Sequence, residues 1–232
     1  EKRDRLTALP PREITRDGVR MLAPIDGNAG GSWLAVNAYG LSVALLKFYD
    51  AEADAVPVPA SGSWKSRGHL VLDIATCQST DAASAYLRHI DAQNYRPFHL
   101  MMADERGEGL LWTWSGQNLT SRSLADIDLP VTTSSFRTAE VLASRRETLC
   151  ALARRDELNE ASLWNYHQSR HPRGGAHSVT MTRDDAKTWS ISRVQVGRDE
   201  ILYDYQERGE GEGDRDYLPA MTVRMMRHER AG

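Results

Sequence analysis

The chain has 232 residues, 41% of them hydrophobic and 26% charged, with a net charge of −3. That is enough apolar material for one sizeable core, and the near balance of charge gives no electrostatic footing for nucleic acid or an anionic membrane. No apolar run reaches the ~18 residues of a membrane span, and the charged first residues do not read as a signal peptide.

In chain order, residues 1–31 read as loop, because Pro10-Pro11 and Pro24 exclude regular helix; a short strand is expected only at 19–22. A hairpin is expected over 32–38 and 41–48, entered through Gly30-Gly31-Ser32-Trp33. The paired glycines permit positive φ and a close backbone approach, and Trp33 adds bulk beside them. A surface loop rich in Ala, Pro, Ser and Gly follows over 51–68, then the apolar run 70–76. Thr80 is placed to cap a helix reaching Ala92, with Ala83, Leu87 and Ile90 along one face. Strands are expected at 98–104 and 109–115, the second with Trp112 and Trp114 on one side, and shorter ones at 119–123 and 129–133. Ser135 or Thr138 would cap the longest helix, 139–153, and another helix is expected at 160–167. The last third reads as an antiparallel meander over 177–183, 187–196 and 201–205. The polar, glycine-rich run from Arg208 to Arg215 opens a stretch, 207–232, expected to be partly flexible. Many strands with helices grouped between them imply an α+β fold in a single domain, 1–232.

The two cysteines, Cys77 and Cys150, stand far apart without ligand-like spacing and read as buried small hydrophobes in a reducing, cytoplasmic protein. His167, His171 and His177 cluster in sequence, but their spacing matches no zinc motif. Neither a metal nor another cofactor is expected. A Ser-His-Asp triad has no support, since no Gly-x-Ser-x-Gly turn occurs. No motif sets an oligomeric state.

Lys2-Arg3-Asp4-Arg5, Pro10, Gly30-Gly31-Ser32-Trp33, Val36-Asn37, Gly40-Leu41, Ser66-Arg67-Gly68, Phe136-Arg137-Thr138-Ala139 and His177-Ser178-Val179-Thr180-Met181 occur in an order that resembles one family. It is the Asn-Arg-Asp-Glu motif family, which includes the eukaryotic transport and Golgi organization protein 2. The resemblance implies a four-layer αββα sandwich of antiparallel sheets, as in N-terminal nucleophile hydrolases of the choloylglycine hydrolase and penicillin V acylase type. Arg3 and Asp4 fall on the motif, while Lys2 and Arg5 replace its asparagine and glutamate. The nucleophilic cysteine and the first strand would then lie upstream of Glu1.

The chemistry implied by the resemblance is hydrolysis of a linear amide. The α-amino group of an N-terminal cysteine takes the thiol proton, an Arg-Asp pair orients that amine, and amide donors hold the oxyanion. Arg3 and Asp4 would be the pair, and Lys47 and Thr138 stand where relatives place the two asparagine donors. Gly30, Gly31 and Trp33 would help bind the substrate. The chain as it stands, without the cysteine, is expected to be inactive as an amidase. The two substituted donors equally suit a small-molecule binding or trafficking protein for haem or an acyl ligand, the role implied by the eukaryotic branch. In either case the expected partner is a small-molecule substrate or ligand.

Overall fold

At Asp17-Gly18 both residues take positive φ, 49° and 78°, the pair of left-handed conformations that closes a two-residue hairpin in step with the twist of its strands. The strands are β1, Leu9–Arg16, and β2, Val19–Ile25. They pair antiparallel from Arg16 opposite Val19 to Leu9 opposite Ile25, with a register shift between Leu9 and Arg12. The expectation of loop across this stretch is corrected here. Pro10 and Pro11 exclude helix, but on an outermost strand the missing N–H costs no ladder bond. The computed structural model describes residues 6–53, 56–155, 158–172, 175–209 and 217–228.

β3, Leu34–Asn37, and β4, Ser42–Lys47, form the expected hairpin. They continue into β5, Phe98–Ala103, β6, Gly109–Trp114, and β7, Leu119–Ser123. The seven strands lie side by side in chain order, each antiparallel to the next. A short helix α1, Tyr49–Ala53, follows β4. One face of the sheet is covered by α2, Arg67–Ile74, and α3, Thr80–His89, which bring Leu70, Val71, Ile74, Ala83 and Leu87 onto Val43, Phe98, Leu100 and Met102. Each such fully buried aliphatic side chain stabilises the fold by about 1.5–3 kcal/mol before ordering costs. Trp112 and Trp114 join this core on the shared face that the alternation predicts, and Trp114 Nε1 donates to Tyr95 O at 2.9 Å. Ser79, one residue ahead of the expected Thr80, caps α3 by accepting from Ala82 N at 3.2 Å.

The described residues group into two compact units. The larger holds 6–127, 194–203 and 222–228; the smaller holds 128–193 and 204–221. In the smaller unit lie α4, Thr138–Ala153, and α5, Glu160–Gln168. Neither Ser135 nor Thr138 caps α4: its N-cap is Arg137, left-handed at φ 42°, with no side-chain cap bond. α5 carries a full capping box, Asn159 Oδ1 accepting from Ser162 N at 3.0 Å while Asn159 N donates to Ser162 Oγ at 2.9 Å. The guanidinium of Arg145 fastens α4 to Thr132 Oγ1 at 2.6 Å and Ser178 O at 3.2 Å, and the Tyr166 hydroxyl on α5 donates to Arg145 O at 3.3 Å.

The strand expected at 129–133 does not form; Pro130 lacks the donor a ladder would use, and Arg145 claims Thr132 and Thr133 O instead. The first arm of the expected meander reduces to one bridge, Thr182 to Lys187. Its other two arms are β8, Ser190–Val196, and β9, Glu200–Glu207, turning at Gly197-Arg198-Asp199. A third strand, β10, Met221–Met226, gives a sheet in the order β10-β9-β8, inside the stretch read as partly flexible. In the larger unit Arg227 holds the end of β10. Its guanidinium donates to Gly197 O and Tyr39 O, each at 3.1 Å, and pairs with Glu105. Cys77 is half-buried but Cys150 is exposed, and both are free thiols. Cys150 follows the buried Leu149 on α4, and one residue on is about 100° around the helix. Among the described residues no helix is long and apolar enough to cross a membrane.

Candidate functional site

The glycine loop is built on Asp26. Asp26 O accepts from Gly30 N at 2.9 Å, Asp26 N donates to Gly31 O at 2.7 Å, and its carboxylate accepts from Asn28 N at 2.8 Å and Ala29 N at 3.2 Å. Gly30 adopts φ 70°, a conformation open to glycine at no steric cost. Gly31 lies against the first turn of α2, where an added Cβ would sit 2.7 Å from Gly68 Cα and from His69 N. Ser32 N donates to Gly68 O at 3.0 Å, and His69 Nε2 lies 2.6 Å from Ala29 O. The close approach that the paired glycines serve is therefore to α2.

Leu34 pairs with Ala44 and Leu45 N donates to Trp33 O at 2.9 Å, so the glycine loop, the half-buried Trp33 and Lys47 occupy the same end of the sheet. Lys47 lies opposite Phe98, in the cross-strand row of Trp114 and Leu119 on the helix-covered face. Its ammonium stands 6.0 Å from the centre of the Tyr49 ring. The neighbouring row, on the other face, holds Leu46, His99, Thr113 and Thr120. His99 Nδ1 is 2.9 Å from Thr113 Oγ1, and its ring lies against Phe48 with centres 4.3 Å apart. Burial lowers the pKa of His99, opposed by the Asp50 carboxylate, which keeps the imidazole neutral and able to accept a proton or a hydrogen bond. Sequence reading missed this histidine, whose only signal was a lone polar ring in an apolar strand.

Asn37, part of the sequence signature but assigned no role from it, is fully buried. Its amide nitrogen donates to Ala75 O at 2.9 Å and Cys77 O at 2.6 Å, and its oxygen accepts from Tyr39 N and Leu41 N, each at 3.0 Å. Asn37 therefore welds the β3–β4 turn to the end of α2. Burial pushes the Cys77 thiol pKa up, the opposite of what a nucleophile needs.

Thr138 belongs to the smaller unit. Its hydroxyl donates to Ser134 O at 2.8 Å, which commits its one proton. Arg3 and Asp4 lie outside the described residues. His167, His171 and His177 do not converge: His167 and His171 are exposed, and His177 faces Glu140 with Nε2 to Oε2 at 3.4 Å. Among the described residues no three such side chains are grouped to hold a metal ion. Beside His177 an open cleft of about 670 Å³ is lined by Ser135, Phe136, Ala176, Arg183, Asp184 and Asp185.

The solved structures that resemble this fold include two variants of the conjugated bile acid hydrolase from Clostridium perfringens. One matches with a TM-score of 0.55 at 12% identity, over 94% of this chain and 82% of that one. The other gives 0.56 at 12% identity, over 89% and 77%. At this identity the likeness is one of fold alone, an α+β arrangement of antiparallel sheets shared with that hydrolase. No curated protein matches the chain. The family model for Transport and Golgi organisation 2 matches residues 3–168, well over half the sequence, and the chain belongs to that family.

Proposed function

We propose that this protein is a hydrolase of linear amides whose nucleophile, an N-terminal cysteine, is carried ahead of Arg3 and Asp4 in the natural gene product. The observation that carries this reading is the fold shared with a conjugated bile acid hydrolase over 94% of the chain. The free α-amino group takes the thiol proton and the thiolate attacks the amide carbon. The tetrahedral intermediate collapses with the proton delivered to the leaving amine, and water then hydrolyses the thioester. Arg3 and Asp4 orient the amine in this scheme.

A second reading, a protein that binds a haem or acyl ligand without cleaving it, is favoured by one observation. The Thr138 hydroxyl is already spent on Ser134 O, so one of the two substituted oxyanion donors is not free to act. The protein as its natural gene expresses it decides between the readings, through intact mass and N-terminal sequencing followed by labelling with a small amide-mimicking electrophile. A terminal cysteine that labels much faster than Cys77 and Cys150 is the expected result, and a panel of linear amides should then be turned over. A terminal residue that is not a nucleophile, or one that labels no faster than Cys77, sinks the hydrolase reading in favour of the binding one.

A further inference from the structure

Gly40, part of the sequence signature, lies in the β3–β4 turn at φ 90°, a conformation that favours glycine. The space around it is also taken. An added Cβ would stand 3.0 Å from Val196 Cγ1, 3.3 Å from Arg227 Nη2 and 3.5 Å from Glu105 Cβ. The end of the last strand is thus seated directly on this turn.

That end has little apolar surface to hold it. Of residues 222–228 Met225 alone is buried, and Met226 is 57% exposed. Its ties are polar. Arg224 pairs with Glu200 at 3.2 Å in the open, and Arg20 Nη2 donates to Met226 O at 2.8 Å. His228 N donates to Ala38 O at 2.9 Å, and its ring stacks on Tyr39 with centres 4.8 Å apart. Arg227 does the most, with its side chain only 9% exposed. Its N donates to Asp199 O at 2.9 Å, Nη1 to Gly197 O at 3.1 Å and Nη2 to Tyr39 O at 3.1 Å, and Nη2 pairs with Glu105. One flat guanidinium therefore joins the β8–β9, β3–β4 and β5–β6 turns, a geometry that the single ammonium of a lysine cannot copy.

We infer that residues 222–228 form a releasable strap, with Arg227 as its clasp and with Gly40 and Glu105 as the socket. A segment held by one buried ion pair and few apolar contacts opens at lower free energy than the sheet beneath it. Its release takes the outer strand from the order β10-β9-β8 and leaves β9 as an edge with unpaired N–H and C=O groups. The clasp stands at the end of the sheet where Ser42 faces Ala103, away from Lys47 and Phe98. It is therefore independent of the amide chemistry proposed above.

Hydrogen exchange of the intact protein, followed by mass spectrometry, tests the strap. Arg227→Met should speed exchange across 222–228 by about tenfold or more, with Phe98–Met102 in β5 unchanged. Arg227→Lys should recover only part of the protection. Glu105→Gln, a milder change outside the strap, should loosen the same segment by less. Gly40→Ala should loosen it too, but should add nothing in the Arg227→Met background, because a socket matters only while the clasp is present. Three results overturn the strap: 222–228 and β5 speeding up together in Arg227→Met; a segment untouched by Arg227→Met or by Glu105→Gln; or a Gly40→Ala effect of equal size with and without Arg227.

Discussion

Asn37 satisfies all four of its amide hydrogen-bonding positions inside the protein, two toward Ala75 O and Cys77 O and two from Tyr39 N and Leu41 N. Its replacement by Ala leaves buried carbonyls and N–H groups unpaired at once, a cost of about 3 kcal/mol. Chemical denaturation of Asn37→Ala should show a midpoint shifted by that amount at unchanged slope. Asn37→Asp should be no better, because a carboxylate cannot donate to the two carbonyls. Two of its four partners stand 38 and 40 positions away, a contact that leaves no local mark, which is why the sequence gives Asn37 a place in a signature but no task. Trp112 shows the reverse. Its period-two position beside Trp114 was enough to place it in the core, although its buried Nε1 has no hydrogen-bond partner among the described residues.

At the scale of elements, local chemistry sets the ends of helices and its removal should be felt locally. Asn159→Ala removes the side-chain arm of the α5 capping box, the bond from Ser162 N to Asn159 Oδ1, leaves the backbone arm to Ser162 Oγ in place, and should lower stability by about 1 kcal/mol. Hydrogen exchange should report faster opening across 160–168 in that variant, with little change in the strands of the larger unit. The elements legible in the sequence were those whose period and turn chemistry agree: β3 and β4, β5 to β7, α3 to α5, and the β8–β9 hairpin. The misses have physical causes. Pro10-Pro11 hid an edge strand that Asp17-Gly18 announces. α2 begins where Gly68 packs on Gly31, a tertiary contact no periodicity shows. β10 finds its place through Arg227 and a distant turn. Of the candidate site, the sequence named Gly30, Gly31, Trp33 and Lys47 separately, and the β3–β4 pairing brings them to one sheet end; His99 emerged only from packing.

For the whole molecule, protonation couples to stability most clearly through Tyr166. Burial pushes its pKa from 10.0 up to about 12, with Arg145 pulling the other way. Folding therefore favours the neutral phenol. This contribution is fully present below pH 10 and is lost as the pH rises through about 12. Unfolding free energy measured across that window should fall more steeply in the wild type than in Tyr166→Phe, which has no such proton to lose. The contact between Gly31 and Gly68 has a consequence for how this sequence can vary. An added Cβ at Gly31 would run into the backbone of Gly68, whereas one at Gly68 would crowd Ser32 N at 3.0 Å and Gly31 Cα at 3.2 Å: a lineage that acquires alanine in place of Gly31 must also slide the first turn of α2, and comparison across relatives should find glycine kept there more strictly than at Gly68.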